Sequence, residues 1–148
     1  MAGCSHGVAP PVRQGDVYSP PFEHGTFDLV VIHQVLHFLD DPARAVREAA
    51  RLLSPGGRLL IVDFAPHSLE FLRTEHAHRR LGFRTDTVSG WLVHAGLEVG
   101  PTRTIDPPDA DPADAGAGER LTVCLWQGLS SASTTAHDVA TDDEHAER

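Results

Sequence analysis

FDLVVIHQVLHFLDDPARAVREAARLLSPGGRLLIVDF, residues 27–64, is the stretch whose reading decides the fold. Leu29-Val30-Val31-Ile32 is an apolar and mostly β-branched run. A run without alternation predicts a strand covered on both faces, as in a parallel sheet flanked by helices. Asp41-Pro42 then opens a helix, because the carboxylate can accept from a free first-turn amide and a proline at the first helical position has no N–H to leave unpaired. Val46, Ala49, Ala50 and Leu53 recur at i, i+3, i+4 and i+7, while Arg44, Arg47, Glu48 and Arg51 take the opposite side. Ser54-Pro55-Gly56-Gly57 stops this helix and turns the chain, and Leu59-Leu60-Ile61-Val62 repeats the buried-strand pattern. Strand, helix and strand make a βαβ unit of an α/β protein.

Working outward, residues 1–14 show no periodicity and read as a disordered lead, and residues 15–25 form a turn-rich connector. On the other side, Leu69 to Leu81 predicts a second helix with Ser68 as its cap. Thr85 or Asp86 can cap a third helix, which Gly96 ends. Leu97 to Val99 with Thr102 to Ile105 predicts a short strand. Residues 106–118, DPPDADPADAGAG, predict a mobile loop, and Leu121 to Trp126 a last strand antiparallel to its predecessor. The domain plan is a lead (1–14), a folded region (15–128) and an acidic tail (129–148) that lacks the bulky apolar residues needed to offset ordering entropy.

The 148 residues and 41% hydrophobic composition suit one domain with a core. No apolar run approaches the roughly 18 residues that would span a bilayer, and the first residues lack a signal-type apolar segment, so a cytoplasmic protein is expected. Cys4 and Cys124 are too few for a disulfide framework, and Cys124 reads as a small buried hydrophobe. The net charge of −9 is uneven: residues 27–105 hold nine Arg and nine acids, residues 106–148 two Arg and ten acids. There is no lysine and no basic stripe, which argues against direct nucleic-acid binding.

In an open parallel sheet the ligand crevice lies beyond the carboxyl ends of the strands. His33-Gln34 and Asp63-Phe64 stand there, and for Asp63 a capping or turn role is the plainer reading. Gly15-Asp16-Val17, the Pro21-Phe22 pair, FDLVV, Val35-Leu36-His37, the Leu52-to-Gly57 turn and Leu59 to Asp63 together resemble class I S-adenosylmethionine-dependent methyltransferases. IHQVLHFLDDP and VDFAPHSLEFLRTEHAHRRLGF further resemble bacterial proteins in which such a domain follows an arsenic-repressor-type regulator. The resemblance implies a partial doubly wound, Rossmann-like methyltransferase sheet, strands four to seven of the family fold with the last strand antiparallel. It implies S-adenosylmethionine as cofactor, with Asp16 beside the adenine amino group, Val17 on the base, His33 at the methionine end and Gln34 or His37 toward the acceptor. His37 is a candidate base, with a buried or cofactor-packing imidazole as the plainer reading. A small-molecule acceptor is implied but not its identity; His67, Glu70, Arg73, His76 and Arg80 are candidates for meeting it, against the plainer reading of a solvated helix face.

The family holds its cofactor on a glycine-rich turn after strand one and an acid after strand two. The only G-x-G here is Gly116-Ala117-Gly118, with no helix opening after it. The expectation is therefore a C-terminal part of such an enzyme, inactive alone, whose Phe27–Ile32 strand is an open edge available for self-association or for pairing with an N-terminal half. Two other readings are a noncatalytic methyltransferase-like dimerisation or sensing module, and a metal-binding protein that uses some of the ten histidines, such as His33 and His37 or His76 and His78.

Overall fold

The computed structural model describes residues 11–107 and 120–132. Most of the expected lead, acidic loop and tail, including Gly116 to Gly118, lies outside these residues. The elements in chain order are β1 (Phe27–His33), a 3-10 turn (Leu36–Phe38), α1 (Pro42–Arg51), β2 (Leu53–Phe64), α2 (Phe71–Glu75), α3 (Thr85–His94), β3 (Glu98–Val99), β4 (Arg103–Ile105) and β5 (Val123–Leu129). One sheet runs in the order β1-β2-β5-β3, with β4 also paired to β5. β1 and β2 are parallel, and β5 is antiparallel to β2, β3 and β4. The last strand is thus inserted between its predecessors and β2.

α1 forms as its residues dictate. The Asp41 carboxylate accepts from the Arg44 amide at 3.0 Å, Pro42 starts the helix, and Ala45, Val46 and Ala49 are buried. They pack with Val30 and Ile32 of β1, Leu59 and Ile61 of β2, Trp126 of β5, and Val88 and Leu92 of α3 in a single core. Register places those strand residues on one sheet face: Val30 lies beside Leu59, Ile32 beside Ile61, and Ile61 beside Trp126. α1 and α3 cover that face.

The opposite face differs from expectation. Leu29 and Val31 are 56% and 49% exposed, and Leu60 and Leu125 are only half-buried. The apolar run FDLVV is therefore covered on one face among the described residues, and β1 is an edge of the sheet. An unbroken apolar run records what a strand can bury, and not what is there to bury it.

Three local expectations are also corrected. Ser54 to Gly57 does not end the helix as a free turn but lies within β2, as a bulge: Phe27 pairs with Leu53 and Leu29 with Arg58. Gly57 permits it, since a Cβ there would lie 2.9 Å from the Ser54 carbonyl oxygen and 3.1 Å from that of Phe27. The helix expected over 69–81 is a single turn at Phe71–Glu75, and Ser68 does not cap it. Ala77 takes a left-handed φ of 55°, and the amides of His76 and His78 both donate to the Leu72 carbonyl, closing the helix. Neither Thr85 nor Asp86 caps α3: Arg84 is its N-cap residue without a side-chain bond, and the Thr85 hydroxyl instead accepts from the Trp126 indole at 3.1 Å. Gly96 does end α3, with φ 81° and the Leu97 amide bonded to the Leu92 carbonyl. Cys124 is buried as expected, and burial pushes its thiol pKa up.

Candidate active site at the carboxyl ends of the parallel strands

β1 and β2 end side by side, with His33 beside Val62. Beyond β1 the chain must leave the sheet at once. Gln34 takes a left-handed φ of 51° while its amide still donates to the Val62 carbonyl at 2.7 Å. His33 is left exposed, and the 3-10 turn that follows drives Leu36 and His37 inward.

His37 is 2% exposed and its Nδ1 donates to Asp63 Oδ1 at 2.7 Å. Asp63 is fully buried, and the same oxygen accepts from the Phe64 amide at 2.8 Å. Asp63 lies two residues after Ile61 on the helix-covered face, so a carboxylate there had to find a donor. His78 closes the cluster, its ring 4.2 Å from that of His37 and nearly parallel to Phe64. The strap that carries His78 is pinned: the Arg79 and Arg80 amides donate to the His37 carbonyl, and the Phe83 amide to that of Phe64. Asp63 Oδ2 and His78 Nδ1 are buried without a hydrogen-bond partner among the described residues.

This arrangement revises the reading of Asp63, which is not a turn residue but the carboxylate that orients His37. His78 joins the site although the sequence reading did not place it there. The signal for Asp63 was its place two residues beyond the buried Ile61. For His78 no periodic signal existed, because the left-handed Ala77 that turns it inward breaks the helical pattern.

Burial, followed by the neighbouring imidazoles of His37, His67 and His76, lowers the pKa of His78 below 6.5, and Asp63 pulls the other way. The unfolded chain therefore takes up this proton first. Stability is full above about pH 6.5 and is lost as pH falls from there through the lower folded-state pKa. Urea denaturation between pH 7 and pH 5 is expected to show this loss, and His78→Phe to flatten it. An unchanged slope in the variant would assign the proton elsewhere.

Asp16 and Val17 meet in a second place. With Pro21 and Phe22 they line a cleft of about 210 Å³, Asp16 at its surface and Val17 half-buried against the core. One Asp16 oxygen already accepts from the Tyr18 amide at 2.8 Å. An acid at the rim of a small apolar cleft fits the amino edge of a flat base. His33 and Gln34 lie elsewhere, at the end of β1. The described residues supply no glycine-rich turn for the rest of the cofactor. Among them, too, no group of three His, Cys, Asp or Glu is arranged to hold a metal, and no helix is long and apolar enough to cross a membrane.

A mixed sheet with an antiparallel last strand inserted beside β2, and side chains gathered at the carboxyl ends of its parallel strands, is the fold of class I S-adenosylmethionine-dependent methyltransferases. Residues 2–61 match the family model described as "Methyltransferase domain". Over these residues the chain is similar to this family, whose cofactor is S-adenosylmethionine. It is 28% identical over 147 residues to a demethylmenaquinone methyltransferase of Thermobifida fusca, covering 93% of this chain and 57% of that protein. It is 29% identical over 120 residues to an uncharacterized 37.1 kDa protein in transposon TN4556 of Streptomyces fradiae, covering 74% of this chain and 34% of that one. Among solved structures it is similar to a SAM-dependent methyltransferase of Thermotoga maritima, with TM-score 0.58, 21% identity and coverage of 79% and 62%. It is also similar to the methyltransferase structure from Haloferax volcanii in complex with the Trm112 methyltransferase activator, with TM-score 0.66, 20% identity and coverage of 79% and 60%. The chain spans about a third to a little over half the length of these two curated relatives.

Proposed function

We propose that this chain provides the acceptor-side half of a methyltransferase, moving a methyl group from S-adenosylmethionine to a small molecule, and that it needs further polypeptide against β1 to hold the cofactor firmly. The observation that carries the reading is the buried His37–Asp63 pair at the carboxyl ends of the two parallel strands, with Asp63 Oδ2 without a partner among the described residues. A buried carboxylate paired with an imidazole at a strand end marks a functional-site candidate, and an oriented imidazole is suited to take a proton from an acidic acceptor. The cofactor's sulfonium activates the methyl group when bound. What is left to the chain is alignment and proton removal. Asp16 and Val17 receive the adenine, His33 and Gln34 the methionine end, and His37 faces the acceptor.

The need for covering polypeptide is supported by β1 itself, among the described residues an edge strand with Leu29 and Val31 bare on one face. A second copy of the chain or an N-terminal half can add a strand there. On this reading the domain runs over 15–128, with the lead and tail outside it. A noncatalytic pairing module is the second reading, favoured by the same bare face.

Nuclear magnetic resonance of the 148-residue chain separates the two parts of the proposal. Millimolar S-adenosylhomocysteine is expected to move the amide resonances of Val17, His33 and Gln34, with weak affinity. If those three stay still, the cofactor assignment fails. Binding at micromolar Kd or tighter, about −8 kcal/mol or better, removes the requirement for a covering polypeptide.

A further inference from the structure

A cleft of about 430 Å³ opens beside the strap, and its lining includes Arg73, Arg79, Arg80 and Arg84, with the aromatic rings of Phe83 and Trp91. Among the described residues, no acidic residue lines it. In a chain of net charge −9, a third of the arginines thus face one cavity. We infer that this cleft is a binding site for a small organic anion, one carrying a carboxylate or phosphate on an apolar body.

The charges are available. Arg80 makes no ion pair among the described residues and donates at 3.0 Å to a neutral acceptor, the Asp40 carbonyl. Arg79 pairs with the Asp40 carboxylate, Arg84 with Asp86 at 3.1 and 3.2 Å, and Arg73 reaches Glu70 only at 3.7 Å. The paired side chains, Arg73, Arg79 and Arg84 with their acids, are at least half exposed. Solvent screens exposed pairs, so exchanging Asp40, Asp86 or Glu70 for an incoming anion costs little. Guanidinium forks match carboxylate and phosphate oxygens in pairs.

The wall supplies the second half of the specificity. Phe83 and Trp91 stand edge to face, with centroids 5.4 Å apart, and Trp91 is half-buried. Trp91 offers an apolar surface to the body of the ligand, backed by the buried Phe83. α3 begins at this wall directly after Arg84, and the Asp86 carboxylate that pairs with Arg84 also accepts from the first-turn Thr87 amide at 2.9 Å, so an anion that displaces it would meet both the guanidinium and that amide. The inference is independent of cofactor binding, since none of the residues assigned to the cofactor lines this cleft.

Benzoate, inorganic phosphate and the uncharged control benzyl alcohol are the probes, titrated against the isotopically labelled 148-residue chain. Benzoate is expected to move the Trp91 indole and Gly82 amide resonances saturably, and phosphate to compete with it. Arg80→Ala is expected to weaken benzoate about tenfold, the loss of one charge-assisted contact, while Arg80→Lys keeps part of the affinity. Arg84→Gln provides an independent variant at the helix start. The assignment is overturned if benzoate does not saturate, if benzyl alcohol binds as well as benzoate, or if Arg80→Ala and Arg84→Gln both leave benzoate affinity unchanged.

Discussion

Gly82→Ala is expected to cost the fold about 3–5 kcal/mol, from a left-handed residue that gains a side chain and from backbone hydrogen bonds that must break to make room for it. Gly82 has φ 79°, and a Cβ there would lie 2.5 Å from the carbonyl carbon of Ala65 and 2.9 Å from the carbonyl oxygen of Phe64. Those atoms are backbone and cannot rotate away. The strap must lift, and two of its bonds to β2 and beyond are at risk: the Phe83 amide to the Phe64 carbonyl, and the His67 amide to that of Leu81. Because the same strap sets His78 on His37, the effect is not confined to stability. The urea midpoint of Gly82→Ala should fall steeply while the ring resonances of His37 and His78 shift. A midpoint within 1 kcal/mol of the parent, judged against this estimate, would mean that the strap is held less tightly than its contacts imply.

The bare apolar residues of β1 and the tight backbone contact at the end of β2 were unequally legible. α1 could be read almost residue by residue, because Asp41, Pro42 and the Val46–Ala49 spacing all act within one helix. The sheet order was legible through the family resemblance alone, since no local pattern says that β5 will enter between β2 and β3. What escaped was set by tertiary contact. Leu29 and Val31 are apolar in either case; their exposure depends on what packs over them. The predicted long second helix failed at Ala77, where alanine is the best helix former and only the docking of His78 against His37 accounts for the left-handed turn. Thr85 resembles a cap, but the Trp126 indole, itself buried and in need of an acceptor, claims its hydroxyl. The candidate site shows the same division. His33 and His37 stand four apart in sequence, yet the left-handed Gln34 sends one outward and the other into the core.

Asp63→Ala is expected to orphan two buried donors at once, the His37 Nδ1–H and the Phe64 amide, since both donate to Asp63 Oδ1. At about 1–3 kcal/mol for each unsatisfied group, the chain should lose roughly 2–5 kcal/mol, and the His37 ring should lose its fixed orientation. Asp63→Asn is the informative companion. Its carbonyl oxygen can accept from the same two donors, so most of that stability should return. Its amide replaces Oδ2, the buried oxygen without a partner among the described residues. If that oxygen is only a structural leftover, the asparagine variant should behave as the parent throughout. If the pair serves proton removal from an acceptor, methyl transfer by the chain in its paired form should fall by 10²–10⁴-fold in kcat, with KM for the cofactor unchanged, because the imidazole keeps its place and loses the carboxylate that supports its positive charge. Chemical denaturation of the two variants and the kcat-against-KM split together assign Asp63. A kcat for Asp63→Asn equal to the parent's would leave His37 as a core imidazole and return the catalytic question to Gln34 and the exposed His33.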